Sequence, residues 1–288
     1  LIVSIVDALL DDLRGRDEVD LITDYAYSIP STITHTMLGL PNRDLLRTRG
    51  WMNDLIRRIE PFQTAEEEAL CAIAVSEMDD YLTSAISEKR NTPTDDLLTD
   101  LVRIEEEGDK LGNDELLPMI QLLFIAGHET NVHMIGNAIH SLLDNPEQKA
   151  LVVQGNVNPT VMVDELLRYD SPAQTSARRL TKDTVIGGQE FPAEQRIFVS
   201  LGSANRDQSF WGDTADDLDL TRGDAVRHFA FGGGVHHCLG APLGRMEGEV
   251  AITRFVQEFP KAELAGDPTF SSRMVVRGRE TFPIRLGV

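Results

Sequence analysis

A change of hydrophobic period near Pro172 divides the 288 residues into two textures. From Leu1 to about Tyr169, apolar residues recur mainly at three- and four-residue spacing, broken at Gly39-Leu40-Pro41, Pro61, Pro93, Pro118 and Asn145-Pro146. That spacing gives each segment one apolar helical face, so this part is predicted to form stacked helices. After Pro172 come short β-type runs with turn residues between them: Thr184-Val185-Ile186, then Gly187-Gly188, then Arg196-Ile197-Phe198-Val199. A helix returns near Pro242 to Phe259, and Met274-Val275-Val276 and Phe282-Pro283-Ile284 read as short strands or loops. The fold class is therefore mainly α with small β-sheets, and the change of texture need not be a domain boundary.

Charge narrows the function. Lys and Arg number 27 against 47 Asp and Glu, a net charge of −20 that repels phosphate backbones and anionic lipid. No nucleic acid and no membrane are expected as partners, although a local basic patch can still dock one protein. Two cysteines, Cys71 and Cys238, are too few for a disulfide framework and fit a reducing compartment. With no signal-peptide pattern and no apolar run of spanning length, a cytoplasmic location is expected. The chain opens on Leu1, without Met, straight into an amphipathic pattern (Ile2, Ile5, Val6, Leu9, Leu10, Leu13), and reads as cut from something longer.

The longest helical stretch is predicted from about Asn113 to Leu143, with Gly127 costing it about 1 kcal/mol of helix propensity. Ala126, Gly127 and Thr130 share one face there, leaving room for a flat or bulky ligand, and the Thr130 hydroxyl next to the Glu129 carboxylate can relay protons. The plainer reading of Thr130 is a hydroxyl bonded back to its own helix. A zinc site at His128 and His133 is disfavoured, because a helical pair of ligands stands at i and i+4 and these are five apart. His128 is read instead as a polar helix residue.

Cys238 lies in Phe229-Ala-Phe231-Gly232-Gly-Gly-Val-His236-His-Cys238-Leu-Gly240-Ala-Pro242. Glycines let backbone approach a ligand, and Pro242 suits the first turn of a helix whose positive end favours a thiolate able to bind iron. Cys71, on the apolar face of Leu70-Cys-Ala-Ile-Ala74, is read as structural. Glu165 and Arg168 stand at i and i+3 and can pair.

Together these segments resemble the cytochrome P-450 family of haem-thiolate monooxygenases in its soluble bacterial form, over essentially the entire chain. Phe231-x-x-Gly234-x-x-x-Cys238-x-Gly240 is similar to the family's haem-binding loop, Ala126-Gly127-His128-Glu129-Thr130 to its oxygen-activation motif, and Glu165-x-x-Arg168 to its Glu-x-x-Arg helix. The resemblance implies a single cytochrome P-450 domain over 1–288 that lacks the family's N-terminal helices. It also implies haem b as cofactor, with Cys238 as its iron ligand. Phe231, Gly232, Gly240, Ala126 and Gly127 would border the haem, Arg178 and His236 would grip its propionates, and Glu129 and Thr130 would be catalytic. The neighbouring Arg179 leaves the Arg178 assignment open by one position. Arg222, in Asp217-Leu-Asp-Leu-Thr-Arg222, would complete a buried triad with Glu165 and Arg168. Gln174, Thr175, Val275 and Val276 would line the substrate pocket.

The implied activity is dioxygen-dependent hydroxylation or a related oxidation of a small organic substrate. Electrons would come from a ferredoxin or flavodoxin docking near the Cys loop, where Arg227 and Arg245 offer positive charge. The alternative is a non-catalytic haem-binding protein or an inactive fragment of such an enzyme. An acidic helical interaction module without cofactor leaves the glycine-rich loop unexplained.

Overall fold

The computed structural model describes residues 1–107, 111–112 and 114–287. Helices dominate up to Tyr169, as the periodicity predicts. The first departure is a strand, Glu18–Asp20, which pairs antiparallel with Pro283–Arg285, with Val19 opposite Ile284. Glu263–Leu264 adds to the other edge of Pro283–Arg285, so a three-stranded sheet ties the front of the chain to its end. Three residues carry too little alternation to show a strand in the sequence; the pairing partner lies more than 260 residues away and supplies the stability.

Two apolar clusters organise the helices. The larger gathers the Ile2–Leu13 helix, the middle of Glu129–Asp144, the inner face of Pro159–Tyr169 and the Ala241–Glu258 helix around Tyr25, Ile135, Phe255 and Phe282. The smaller joins Leu38 to Trp51 and packs Ala65–Asn91 on Leu97–Glu107 and Leu116–Ala126 through Met78, Leu82 and Phe124. The 27-residue helix Ala65–Asn91 begins with a reciprocal cap: Thr64 Oγ1 accepts from the Glu67 amide, and the Glu67 carboxylate accepts from the Thr64 amide.

The expected unbroken helix from Asn113 to Leu143 is two helices, Leu116–Ala126 and Glu129–Asp144, separated at Gly127-His128. Asn113 itself lies outside the described residues. The break has a cause: His128 is buried, its Nε2 sits 2.6 Å from Ser31 Oγ, and its ring packs edge-on to Tyr27. His128 is therefore not a simple polar helix residue but an anchor for the kink.

The strand predictions hold at Thr184–Ile186 and Arg196–Ser200, which pair with Gln189–Phe191 and Thr175–Arg179 respectively. Met274-Val275-Val276 forms no strand; only Val276 makes an isolated bridge, to Ala173. No described helix is long and apolar enough to cross a membrane.

Candidate functional site

Cys238 ends a loop that begins at Phe229 and feeds the Ala241–Glu258 helix. Gly232 and Gly234 both have φ of 69°, a conformation closed to most side chains, which folds the loop back until the Cys238 amide donates to the Phe231 carbonyl at 2.9 Å. The Cys238 thiol is exposed. Beside it Val235 is 97% and Leu239 85% exposed, with His236 in the turn between. An uncovered thiol set among uncovered apolar side chains is a surface that an apolar group would cover.

Buried ionic groups fix this loop. Arg168 grips Glu165 with two bonds of 2.7 and 2.8 Å, and Arg222 Nε reaches the same carboxylate at 3.2 Å, so the structure brings the three residues together in the interior. Arg168 also donates to the carbonyls of Asn205, Ala215 and Asp217. Asn205 Oδ1 in turn accepts from the Phe229 amide at 2.7 Å, which carries the triad's rigidity to the start of the Cys loop.

A second brace passes through Asp164, buried on the Pro159–Tyr169 helix. It accepts from Arg245 Nε at 2.7 Å and lies 3.2 Å from His228 Nε2. His228 Nδ1 accepts from the Ala230 amide, which assigns the ring proton to Nε2, facing Asp164. Burial alone would raise the Asp164 pKa, but hydrogen bonds from His228 and Arg245 outweigh it and hold the carboxyl below its ordinary range. The Arg245 guanidinium also lies 4.7 Å over the Phe231 ring. Arg245 is therefore an internal brace rather than part of a free docking patch; Arg227 remains exposed.

The Glu129–Asp144 helix runs directly beside this assembly. A Cβ built on Gly244 would meet Asn131 Oδ1 at 3.3 Å, close enough that Asn131 would have to shift slightly, and the Phe231 ring at 3.7 Å, so the two helices approach closely here. Asn131 Nδ2 donates to Glu247 Oε2 at 2.8 Å. Thr130, one residue earlier, bonds back to its own chain, its hydroxyl donating to the Ala126 carbonyl at 3.1 Å.

Glu129 differs from expectation. Its buried carboxylate turns to Arg273, at 2.8 Å, rather than to the Thr130 hydroxyl. Burial favours its protonated form, yet His133, His128 and Arg273 outweigh that and keep its pKa low. Burial depresses His128 to about 4, so its ring is neutral at pH 7.

On the other side, Gln174 donates its amide proton to the Val275 carbonyl at 2.9 Å, and Val276 is buried. The Thr175 hydroxyl is buried without a partner among the described residues. Arg178 is exposed and, among the described residues, bonds only to Ser176 and Ala177, while Arg179 pairs with Glu194. Cys71 is buried, and burial pushes its thiol pKa up.

Over 293 residues the chain is 39% identical to cytochrome P-450 107B1 of Saccharopolyspora erythraea, a match covering 99% of this chain and 69% of that protein. The chain belongs to the cytochrome P-450 family. The family's own model, Cytochrome P-450, matches residues 160–281. The vitamin D(3) 25-hydroxylase of Pseudonocardia autotrophica is 36% identical over 99% of this chain and 70% of its own length. The crystal structure of Mycobacterium smegmatis CYP164A2 with econazole superposes with a TM-score of 0.93 at 35% identity, covering 99% of this chain and 72% of that one. The chain thus spans about two thirds of the length of such cytochromes P-450.

The family's cofactor is iron protoporphyrin IX. The residues present fit it: a soft, exposed sulfur donor, apolar neighbours with nothing packed over them, and a glycine-shaped loop held from behind by ion pairs.

Proposed function

We propose that this protein acts as a haem-thiolate monooxygenase on a small apolar organic substrate, with Cys238 as the iron ligand. The carrying observation is the exposed Cys238 thiol on a loop braced by Glu165, Arg168, Arg222 and Asp164. Bound haem supplies the centre at which dioxygen is activated with electrons delivered one at a time.

The chain's own residues bind, position and protect. Phe231, Gly232 and Gly240 shape the loop against the porphyrin. His236 and Arg178 would hold its propionates; Arg178 is the better candidate than Arg179, whose charge Glu194 already occupies. Ala126 and Gly127 would leave space beside bound haem, and Thr130 Oγ1, which now donates to the Ala126 carbonyl, would hold a proton there. Gln174, Thr175, Val275 and Val276 form a substrate wall, supported by the contact between the Gln174 and Val275 backbones. A ferredoxin or flavodoxin docks near the Cys loop, with Arg227 among its contacts.

One observation favours a second reading, haem binding without turnover: Arg273 holds the Glu129 carboxylate away from Thr130. Product analysis with a surrogate ferredoxin and reductase separates the two. Oxygenated product from the haem-loaded protein, with oxygen use uncoupled from product in Thr130→Ala, supports the monooxygenase. Haem binding with no product from any of a panel of steroid, fatty-acid and macrolide substrates supports the second reading.

A further inference from the structure

Among the described residues the buried carboxylates are Glu105, Glu129, Asp164, Glu165 and Glu247, and the first four each hold an arginine. Glu247 holds none; its carboxylate accepts from Asn131 Nδ2 at 2.8 Å, on the helix that carries Glu129 and Thr130. Met134 and Val163 close against the next residue, Gly248, so apolar side chains of both neighbouring helices seal this layer. A buried carboxyl without a cation favours its neutral, protonated form, and burial raises the Glu247 pKa to about 8. The other charged groups on these helices are engaged elsewhere: Glu129 by Arg273, Asp164 by His228 and Arg245, and Glu249 by the Thr160 hydroxyl. Burial keeps the His133 ring neutral, and His236 and His237 on the loop are exposed. Burial and the Asn131 hydrogen bond are the influences acting on Glu247.

Glu247 also stands on the Cys helix. The Ala241 amide donates to the Cys238 carbonyl at 3.3 Å and the Gly244 amide to the Gly240 carbonyl at 2.9 Å, so the chain turns from the sulfur straight into the helix. Glu247 follows about 9 Å along the axis from Ala241. Asn131 extends the contact back toward the loop, its Oδ1 lying against Gly244, whose other neighbour is the Phe231 ring. An electron delivered to thiolate-ligated haem adds one negative charge at this loop. At about 12 Å and an effective dielectric of about 20, such a charge changes the proton affinity of a carboxylate about ten-fold.

We propose that, given the haem-thiolate reading, Glu247 links proton binding to electron uptake at the haem site. The electron comes from the ferredoxin or flavodoxin, which is oxidised as the haem iron is reduced. The ionised Glu247 carboxylate takes one proton from water, so the charge of the interior is unchanged, and the proton leaves when the electron does. Asp164 and Glu129 cannot serve, because their cationic neighbours keep their pKa values low. A neutral acid that only ties two helices together would leave the haem potential independent of its protonation.

The test is a spectroelectrochemical titration of the haem-loaded full chain at pH steps on either side of 8. The midpoint potential should fall with rising pH by the equivalent of that ten-fold change, about 59 mV for one electron. Glu247→Gln should remove this fall, and Glu249→Gln, two residues along, should keep it. Infrared difference spectra of the wild type need no variant: reduction above pH 8 should add a carboxylic-acid C=O stretch that shifts in heavy water. With haem in place, a wild-type potential that ignores pH, a fall that survives Glu247→Gln or is lost equally in Glu249→Gln, or absence of the infrared band overturns the proposal and leaves the haem reading standing. A protein that takes up no haem overturns both.

Discussion

Replacing Glu247 by Gln should make the protein less sensitive to alkaline pH. Glu247 is 2% exposed, and among the described residues its one hydrogen-bond partner is the Asn131 side-chain amide. Burial raises its pKa from 4.5 to about 8, with the Asn131 hydrogen bond opposing only weakly. Because the folded pKa lies above the unfolded one, the protonated carboxyl favours the fold below about pH 4.5, and that advantage is lost as pH climbs toward 8. Each unit in this window is worth about 1.4 kcal/mol, so the wild type should lose roughly 3 kcal/mol relative to Glu247→Gln between pH 5 and 7.5. Gln keeps the carbonyl acceptor that Asn131 needs. Urea unfolding of both proteins at half-unit pH steps measures the difference directly. Parallel stability profiles would mean that Glu247 is ionised and solvated in the fold, with Glu129–Asp144 packed loosely on the Cys helix.

Three further expectations concern the scaffold. Arg168→Ala leaves Glu165 buried with only Arg222 and the Asp219 amide beside it among the described residues, and should destabilise by about 3–5 kcal/mol in urea unfolding. Gly278→Ala drives a Cβ into the His133 ring, which must move; a loss of about 1–3 kcal/mol should appear as a lowered thermal midpoint. Thr64→Ala removes the reciprocal cap of Ala65–Asn91 and should cost about 1 kcal/mol by the same measurement.

Much of this architecture is legible in the sequence because its signals are local. Helical periodicity, the Asn145-Pro146 break and the start of the Cys helix at Ala241-Pro242 each depend on a few neighbouring residues. Glu165 and Arg168 pair through i, i+3 spacing, and the Cys loop carries its own glycines. Long-range partnerships are the part that stays hidden. Asp164 meets Arg245 across 81 positions, Asn131 meets Glu247 across 116, and Arg273 meets Glu129 across 144. No spacing rule links such residues, since only the folded packing of helices makes them neighbours. The same blindness explains the Glu129 expectation: adjacency to Thr130 in sequence says nothing of a cation arriving from the far end of the chain. It also explains the predicted unbroken helix, because the kink at Gly127-His128 is held by Ser31, which only the fold brings within reach.

Thiolate ligation by Cys238 is most directly read from the absorption spectrum of the haem-loaded protein, reduced and exposed to carbon monoxide. The account predicts a strongly red-shifted Soret band that Cys238→Ser abolishes. An unshifted band in the wild type, a spectrum unchanged by Cys238→Ser, or failure to take up haem at all would contradict it.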